Sequence, residues 1–260
     1  MLMKAAVTQM NTVWENKEAN RLICSKLVKE AAENKAELIV FPEMTLTGFT
    51  MNYGYAGEKA LDGGETTEYF KELSLKYNID IIFGMVYISD MPYNLSVLIE
   101  RGELKSYYKK LHPFTYGGEA EFYGKGDNIN SVDYKGVRLS MFVCYDLRFP
   151  EIFQLASGES KLITVIANWP SERREQWDAL LKARAIENQA FVIGANRAGK
   201  GNGAVYESSS AVYSPYGERI TGSGDKELLY ADINIAEADR YREEFPVKRD
   251  RREELYRRIL

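Results

Sequence analysis

Hydrophobic positions along this chain change their spacing repeatedly, and each change marks an element. Met3–Met10 is apolar and β-rich and reads as a strand. Asn16–Asn34 is predicted helical, because Leu22, Ile23, Leu27, Val28 and Ala31 fall on one face at helical spacing. Cys24 lies within that helix, and core packing is its expected role. Glu37–Pro42 holds the short buried-strand run Leu-Ile-Val-Phe. Thr66–Tyr77 predicts a second helix, with Thr66 or Thr67 as its cap. Asp80–Ile88, Tyr93–Glu100 and Glu103–Lys110 predict three strands, the last two joined by a turn at Arg101-Gly102. Val137–Val143 reads as a strand, followed by a helix through Ala156. Leu162–Asn168 is a strand and Arg174–Gln189 a helix. Ala190–Asn196, Ser209–Tyr213 and Glu227–Asn234 are further strands, and Ala236–Glu244 is helical.

Strands and helices alternate, with hairpins inserted mid-chain and no linker, repeat or low-complexity tract. The expected architecture is therefore a single α/β domain over residues 1–260, with one mixed sheet or two sheets each covered by helices. Residues 246–260 form a highly charged tail that keeps Leu255, Tyr256, Ile259 and Leu260. A solvated or loosely packed segment is expected there, with a subunit contact as the sharper alternative.

Composition narrows the function classes. The chain has 260 residues, of which 45% are hydrophobic, enough for a sizeable core. A net charge of −4 argues against a dedicated nucleic-acid binder. No stretch approaches the roughly 18 apolar residues of a membrane span. Met1-Leu2-Met3-Lys4 runs straight into strand-like sequence, so no signal peptide is expected. Two cysteines make no disulfide framework, and a cytoplasmic setting is expected. With a single histidine, a Cys/His zinc site is not expected.

The most informative residue is Cys144, which ends the apolar run Val137-Arg138-Leu139-Ser140-Met141-Phe142-Val143. Pro150 lies near a first helical turn, so the thiol sits where a strand stops and a helix starts. Partial positive charge at a helix N-terminus favours the thiolate. A buried structural cysteine is the plainer alternative. A catalytic thiol needs an activating partner. His112 is the one histidine available; otherwise a carboxylate or lysine must serve. Glu43 follows Leu38-Ile39-Val40-Phe41-Pro42, at the carboxyl end of a buried strand, where α/β sheets form ligand crevices. Desolvation there raises a carboxyl's proton affinity and suits it to acid/base work. Lys110 ends a Tyr- and Lys-rich strand and shares a face with His112 if the extended geometry continues. Glu119 and Glu121 follow in a Gly-rich turn, where surface acids are common. Gly199-Lys200-Gly201-Asn202-Gly203 leads into strand, so it is a turn and not a phosphate cradle.

Three segments, in order and each at a strand end, resemble the nitrilase-superfamily carbon–nitrogen hydrolases. They are Phe41-Pro42-Glu43, Tyr108-Lys109-Lys110-Leu111-His112 and Val143-Cys144-Tyr145-Asp146-Leu147-Arg148-Phe149-Pro150-Glu151. The resemblance covers Lys4 to about Phe245. It implies a four-layer αββα sandwich, a homodimer or larger homo-oligomer, and no cofactor or metal. It places a Glu–Lys–Cys triad on Glu43, Lys110 and Cys144, with Glu119 in support, and makes His112 a structural neighbour. Tyr145-Asp146 after the nucleophile resembles the amidase branches rather than true nitrilases. Asn168-Trp169-Pro170, Trp177 and Ala183-Arg184-Ala185-Ile186-Glu187-Asn188-Gln189 are similar to bacterial ω-amidases, which hydrolyse the terminal amide of 2-oxoglutaramate or 2-oxosuccinamate. Leu111-His112-Pro113-Phe114 departs from the more usual His-Leu-Phe.

This likeness implies hydrolysis of a small amide through a cysteine thioester. Lys110 and the backbone N–H of Tyr145 are the candidates to hold the oxyanion. A carboxylate-bearing substrate calls for a cation, and Arg173, with Trp169 beside it, is the candidate, Arg174 being the next. Arg148 is a further candidate, with an ion pair to Glu151 holding the turn as its plainer reading. Alternatives are a carbamoyl-amide or deaminated-glutathione amidase, a non-catalytic binding protein on the same fold, and a redox sensor pairing Cys144 with Cys24.

Overall fold

The computed structural model describes residues 1–260 apart from Ser223, Asp225 and Leu260. The chain runs β1 (Leu2–Thr8), α1 (Lys17–Glu33), β2 (Leu38–Val40), α2 (Tyr53–Ala56), β3 (Gly57–Glu58), α3 (Glu65–Tyr77), β4 (Asp80–Ile88), β5 (Pro92–Glu100) and β6 (Glu103–Lys109). It continues through β7 (Ser131–Tyr134), β8 (Val137–Val143), α4 (Pro150–Ala156), β9 (Leu162–Ala167), α5 (Arg174–Asn188) and β10 (Phe191–Asn196). The last part is β11 (Gly199–Gly201), β12 (Ala204–Tyr206), β13 (Ala211–Tyr213), β14 (Leu228–Asn234), α6 (Ile235–Glu244) and α7 (Glu253–Ile259).

Two large sheets and a two-stranded one, β11-β12, form among the described residues. The first has the order β14-β1-β2-β4-β5-β6, with β3 added on β4, and the second β13-β10-β9-β8-β7. Side chains alternate across each strand, and the burial follows. Ile39, Ile81, Phe83, Val97 and Ile99 of the first sheet pack with Leu27, Val28 and Ala31 of α1 and Phe70 of α3. Their neighbours Val7, Leu38, Val40, Ile82 and Leu98 share a core with Leu139, Met141 and Val143 of the second sheet. That same core includes Trp177, Leu181 and Ala185 of α5. The two-sheet form of the expectation holds: helix, sheet, sheet, helix.

The topology aims one end of both sheets at a single place. β1, β2 and β4 run parallel, β5 is antiparallel to β4, and β6 antiparallel to β5. β6 therefore points the same way as β2. In the second sheet β8, β9 and β10 are parallel. Carboxyl ends of parallel strands are where α/β sheets bind ligands.

Several expectations need correction. Neither Thr66 nor Thr67 caps α3: the cap residue is Gly64, and the Glu58 carboxylate receives the Thr66 N–H (3.0 Å). β7 escaped the hydrophobic reading because Ser131 and Asp133 break its apolar run. The tail forms a 3₁₀ turn at Val247–Asp250 and then α7, neither of which buries a residue. Lys248 Nζ donates to the Ser157 carbonyl (2.7 Å), which docks the start of the tail on the end of α4. Leu260 lies outside the described residues. Cys24 is fully buried beside Met10, as core packing requires.

Candidate active site

Four strand ends deliver the polar residues. Glu43 follows β2, Lys110 directly follows β6, Cys144 directly follows β8 and Asn168 directly follows β9. The Glu43 turn is tight. Met44 adopts φ 46°, in the left-handed region that costs a non-glycine residue energy. Gly84 on β4 makes room for it, since a Cβ there would sit 2.7 Å from the Glu43 Cα. Thr45 pins the turn, donating to the Pro42 carbonyl (2.6 Å) and accepting from the Gly84 N–H (3.0 Å).

Glu43, Lys110 and Glu119 meet out of water. Their side chains are at most 1% exposed. Lys110 Nζ lies 3.0 Å from Glu43 Oε1 and 2.7 Å from Glu119 Oε2. Asn94 Nδ2 donates to Glu43 Oε1 and Glu119 Oε1, both at 2.8 Å. The Asn168 backbone N–H donates to Glu43 Oε2 (2.9 Å), and its Nδ2 donates to the Glu43 carbonyl (2.6 Å). Phe114 N–H donates to Glu119 Oε2 (2.5 Å). Burial alone would lower the Lys110 pKa, but Glu119 and Glu43 outweigh it and hold the ammonium well above the ordinary lysine range. Glu121, from the same Gly-rich turn, is exposed.

Cys144 opens a 3₁₀ turn, Cys144–Arg148, and α4 starts only at Pro150. Its φ of 48° sets the sulfur on a sharp, strained bend. The expected thiolate is not favoured. Desolvation pushes the thiol pKa well above its ordinary value, and the negative charge of Glu43 adds to the rise; Lys110 opposes it. The physical reason is twofold. A five-residue 3₁₀ turn offers little aligned dipole, and the charge of Lys110 is already shared between two carboxylates. Cys144 therefore rests as a thiol.

Glu43, Lys110 and Cys144 line one small cavity of about 170 Å³. Phe49, Phe114, Tyr145 and Trp169 supply aromatic walls, and Arg148 and Arg173 supply cations. Arg173 lines the cavity, its guanidinium 5.7 Å from the Phe114 ring centroid. Trp169 is buried, its indole N–H donating to the Arg173 carbonyl (2.8 Å). Arg174 turns away to Asp178 (2.8 Å) and the Ser208 carbonyl (3.1 Å). Arg148 does not pair with Glu151: it lies 4.7 Å from the Trp169 ring centroid and donates to Gln176 Oε1 (2.6 Å), because the 3₁₀ turn swings it to the cavity side. His112 leaves the extended path after Lys110. It stacks on Phe149 (3.7 Å between ring centroids) and bonds Asp146 through Nδ1 (2.8 Å). It does not line the cavity.

The sequence reading gave no site role to Asn94, to the β11–β12 hairpin, or to Asn168, quoted only within Asn168-Trp169-Pro170. Asn94 had a visible signal, a polar residue within the apolar run of β5. Asn168 stands at a strand end, as Glu43 and Cys144 do. The hairpin was read as a turn, which it contains, yet its Asn202, Ala204 and Tyr206 form a cavity wall. Buried Arg197 anchors that wall, donating to the carbonyls of Thr12 (2.5 Å) and Lys200 (3.0 Å). Among the described residues no group of three or more His, Cys, Asp and Glu side chains could hold a metal ion. No described helix is long and apolar enough to cross a membrane.

Known proteins share this frame. The chain is 34% identical to the Omega-amidase YafV of Yersinia enterocolitica, over 95% of this chain and 96% of that one. It is 30% identical to the 2-oxoglutaramate amidase of Bacillus subtilis, over 87% and 89% of the two chains. Its fold superimposes with a TM-score of 0.89 on the crystal structure of XC1258 from Xanthomonas campestris, a CN-hydrolase superfamily protein with an arsenic adduct in its active site. That match is 29% identical and covers 96% of this chain and 97% of that one. The nitrilase-like αββα sandwich implied by the sequence is thus the fold observed. Residues 4–243 match the family model of carbon–nitrogen hydrolases, and a chain so matched from β1 to α6, with its polar residues gathered at the strand ends, belongs to the carbon–nitrogen hydrolase family.

Proposed function

We propose that this protein is an ω-amidase, hydrolysing the terminal amide of a small carboxylate-bearing substrate of the 2-oxoglutaramate or 2-oxosuccinamate type. One observation carries the reading: the Cys144 side chain shares a small cavity with a buried carboxylate–lysine network and two arginines. A thiol that rests protonated needs a base at the moment of attack. Glu43 takes the Cys144 proton as sulfur adds to the amide carbon and the carbonyl π electrons move to oxygen. Lys110 and the Tyr145 backbone N–H hold that oxyanion; one such donor is worth about 10²–10³ in rate. The intermediate collapses, the C–N bond breaks, and Glu43 hands its proton to the departing ammonia. Water then adds to the thioester, giving a proton to Glu43. The C–S bond breaks, the acid leaves, and Glu43 returns its proton to sulfur. Glu119 keeps Lys110 in place throughout.

The substrate carboxylate faces Arg173, with Trp169 as an apolar wall. Arg148 lines the same cavity and is a second cation for that end. The two relatives named as amidases support the substrate class. The same reading takes residues 1–260 as one domain of a cytoplasmic homodimer or larger homo-oligomer, working on a small molecule without metal or cofactor.

Ammonia release from 2-oxoglutaramate, 2-oxosuccinamate, glutamine, asparagine and simple amides tests the proposal, with Cys144→Ala as control. Turnover of the 2-oxo acid amides is expected, with an acyl adduct on Cys144 by mass spectrometry. Arg173→Met is expected to raise KM for them more than for neutral amides. Carbon dioxide release would mark a carbamoyl substrate instead, and no turnover or adduct across the panel would mark a binding protein.

A further inference from the structure

The proposed chemistry draws its groups from both sheets. Glu43 and Lys110 belong to the first, Cys144 to the second, so something must fix one set against the other. We infer that Asp146 is a positioning residue that clamps the Cys144 turn to Tyr108 and His112, two residues to either side of Lys110; this rests on the amidase reading of the site.

Asp146 is fully buried, and no lysine or arginine pairs with it among the described residues. Its carboxylate instead accepts four hydrogen bonds, two on each oxygen. Oδ2 receives the Val143 backbone N–H (3.1 Å) and the Tyr108 hydroxyl (2.8 Å). Oδ1 receives the His112 backbone N–H (3.0 Å) and lies 2.8 Å from His112 Nδ1. Each donor has a meaningful place. Val143 is the last residue of β8, immediately before Cys144. Tyr108 lies on β6, two residues before Lys110, and His112 lies two residues after it. One carboxylate thus spans from the residue before the nucleophile to both sides of the lysine.

The surroundings keep this link stiff. Tyr108 is itself fully buried, edge-on to Phe142 of β8, with ring centroids 5.4 Å apart. Its oxygen also accepts the Leu111 backbone N–H (3.3 Å), drawing in the segment just past Lys110. His112 is held from its other side by the stacked Phe149. Bonds to a buried carboxylate are charge-assisted, and a cluster closed on all its lone pairs tolerates little displacement. This gives the single histidine a role without making it a base: it is one arm of the clamp. It also explains why a strained φ at Cys144 persists. The Asp146 carboxylate ties down the residue before it, and the Leu147 carbonyl accepts from the Arg184 guanidinium (2.7 Å) after it.

The test uses the full-length protein with 2-oxoglutaramate. Asp146→Asn keeps the shape but turns one acceptor into a donor. In a variant that still unfolds cooperatively, kcat is expected to fall about 10²-fold with KM within about twofold of the parent, as for a misplacement of reacting groups. Tyr108→Phe removes one arm without changing charge, and decides the matter if Asp146→Asn fails to fold. Its kcat is expected to fall about three- to tenfold, again with KM held. Parental kcat in a folded variant, or an effect on KM alone, overturns the clamp. Turnover by the parent tests the amidase reading separately. If the parent is inactive, alkylation of Cys144 by iodoacetamide replaces turnover: at least about tenfold slower labelling in the variants supports the clamp, and unchanged labelling overturns it.

Discussion

Replacing Glu119 by Gln separates the acidity of the thiol from its usefulness. The side chain keeps its shape and loses one charge. Glu119 Oε1 accepts from Asn94 and Oε2 from Lys110 and Phe114. A glutamine has one acceptor end, so either Asn94 or the Lys110–Phe114 pair must face an amide N–H₂. Rotating the Asn94 amide gives no relief, because its Nδ2 also serves Glu43 Oε1 (2.8 Å). At 2.7 Å and an effective dielectric of about 20, the Lys110–Glu119 attraction is at most about 6 kcal/mol before desolvation is counted. Breaking a buried pair costs about 3–5 kcal/mol, and a glutamine that keeps one acceptor falls near about 3. Two consequences diverge. The negative charge of Glu119 helps hold the Cys144 thiol pKa high, so the variant thiol becomes more acidic. Yet Lys110 loses one of two anchors, and kcat is expected to drop about 10²–10³-fold as the oxyanion donor drifts. Urea unfolding, ammonia release and the pH dependence of iodoacetamide labelling read the three effects. Parental kcat, or a thiol pKa unchanged or raised, would refute the reasoning.

The other predictions are simpler. Cys144→Ala and Glu43→Gln bring ammonia release to background, while His112→Asn, which keeps its backbone donor to Asp146, loses no more than about tenfold; equal losses would make His112 the base. Labelling of Cys144 by iodoacetamide in the parent protein shows no ionisation near the ordinary thiol value of about 8.5, since burial and Glu43 push the thiol up; an inflection at or below that value contradicts this. Burial, with Arg242 and Arg251 nearby, lowers the Lys248 pKa to about 7. The folded lysine then releases its proton near pH 7, while the unfolded one keeps it up to about pH 10.4. Stability owed to this residue rises with pH across that window and is flat below it. The difference in urea midpoint between the parent and Lys248→Met shifts in the parent's favour from pH 7 to 10; a constant difference counts against it.

Local pattern made most elements legible. The apolar runs of β4 and β5 and the helical spacing of Leu27, Val28 and Ala31 in α1 are already displayed by a linear chain. Elements whose stability is borrowed were harder to read. β7 is half polar and exists because β8 pairs with it, and the β11–β12 hairpin is held by Arg197 reaching back to Thr12. The cap of α3 comes from Glu58, outside the helix, so no residue at the helix start announced it.

The sequence by itself determined which residues were candidates and where in their strands they stood. Phe41-Pro42-Glu43, the lysine after β6 and the cysteine after β8 each sit at a strand end, and strand ends are set by local hydrophobic runs. Only the tertiary structure decided their protonation and company. Strand direction brought those ends together across two sheets, burial removed water, and Coulomb interactions then assigned the charges. Lys110 became an ammonium shared by two carboxylates, and Cys144 became a thiol rather than the thiolate its position promised. Arg148 and Asp146 owe their places to the same cause: a short 3₁₀ turn, invisible in the pattern, aimed one at the cavity and the other at the His112 backbone, two residues past Lys110. Charge and hydrogen bonding depend on distance in space, and the chain alone specifies distance only along itself.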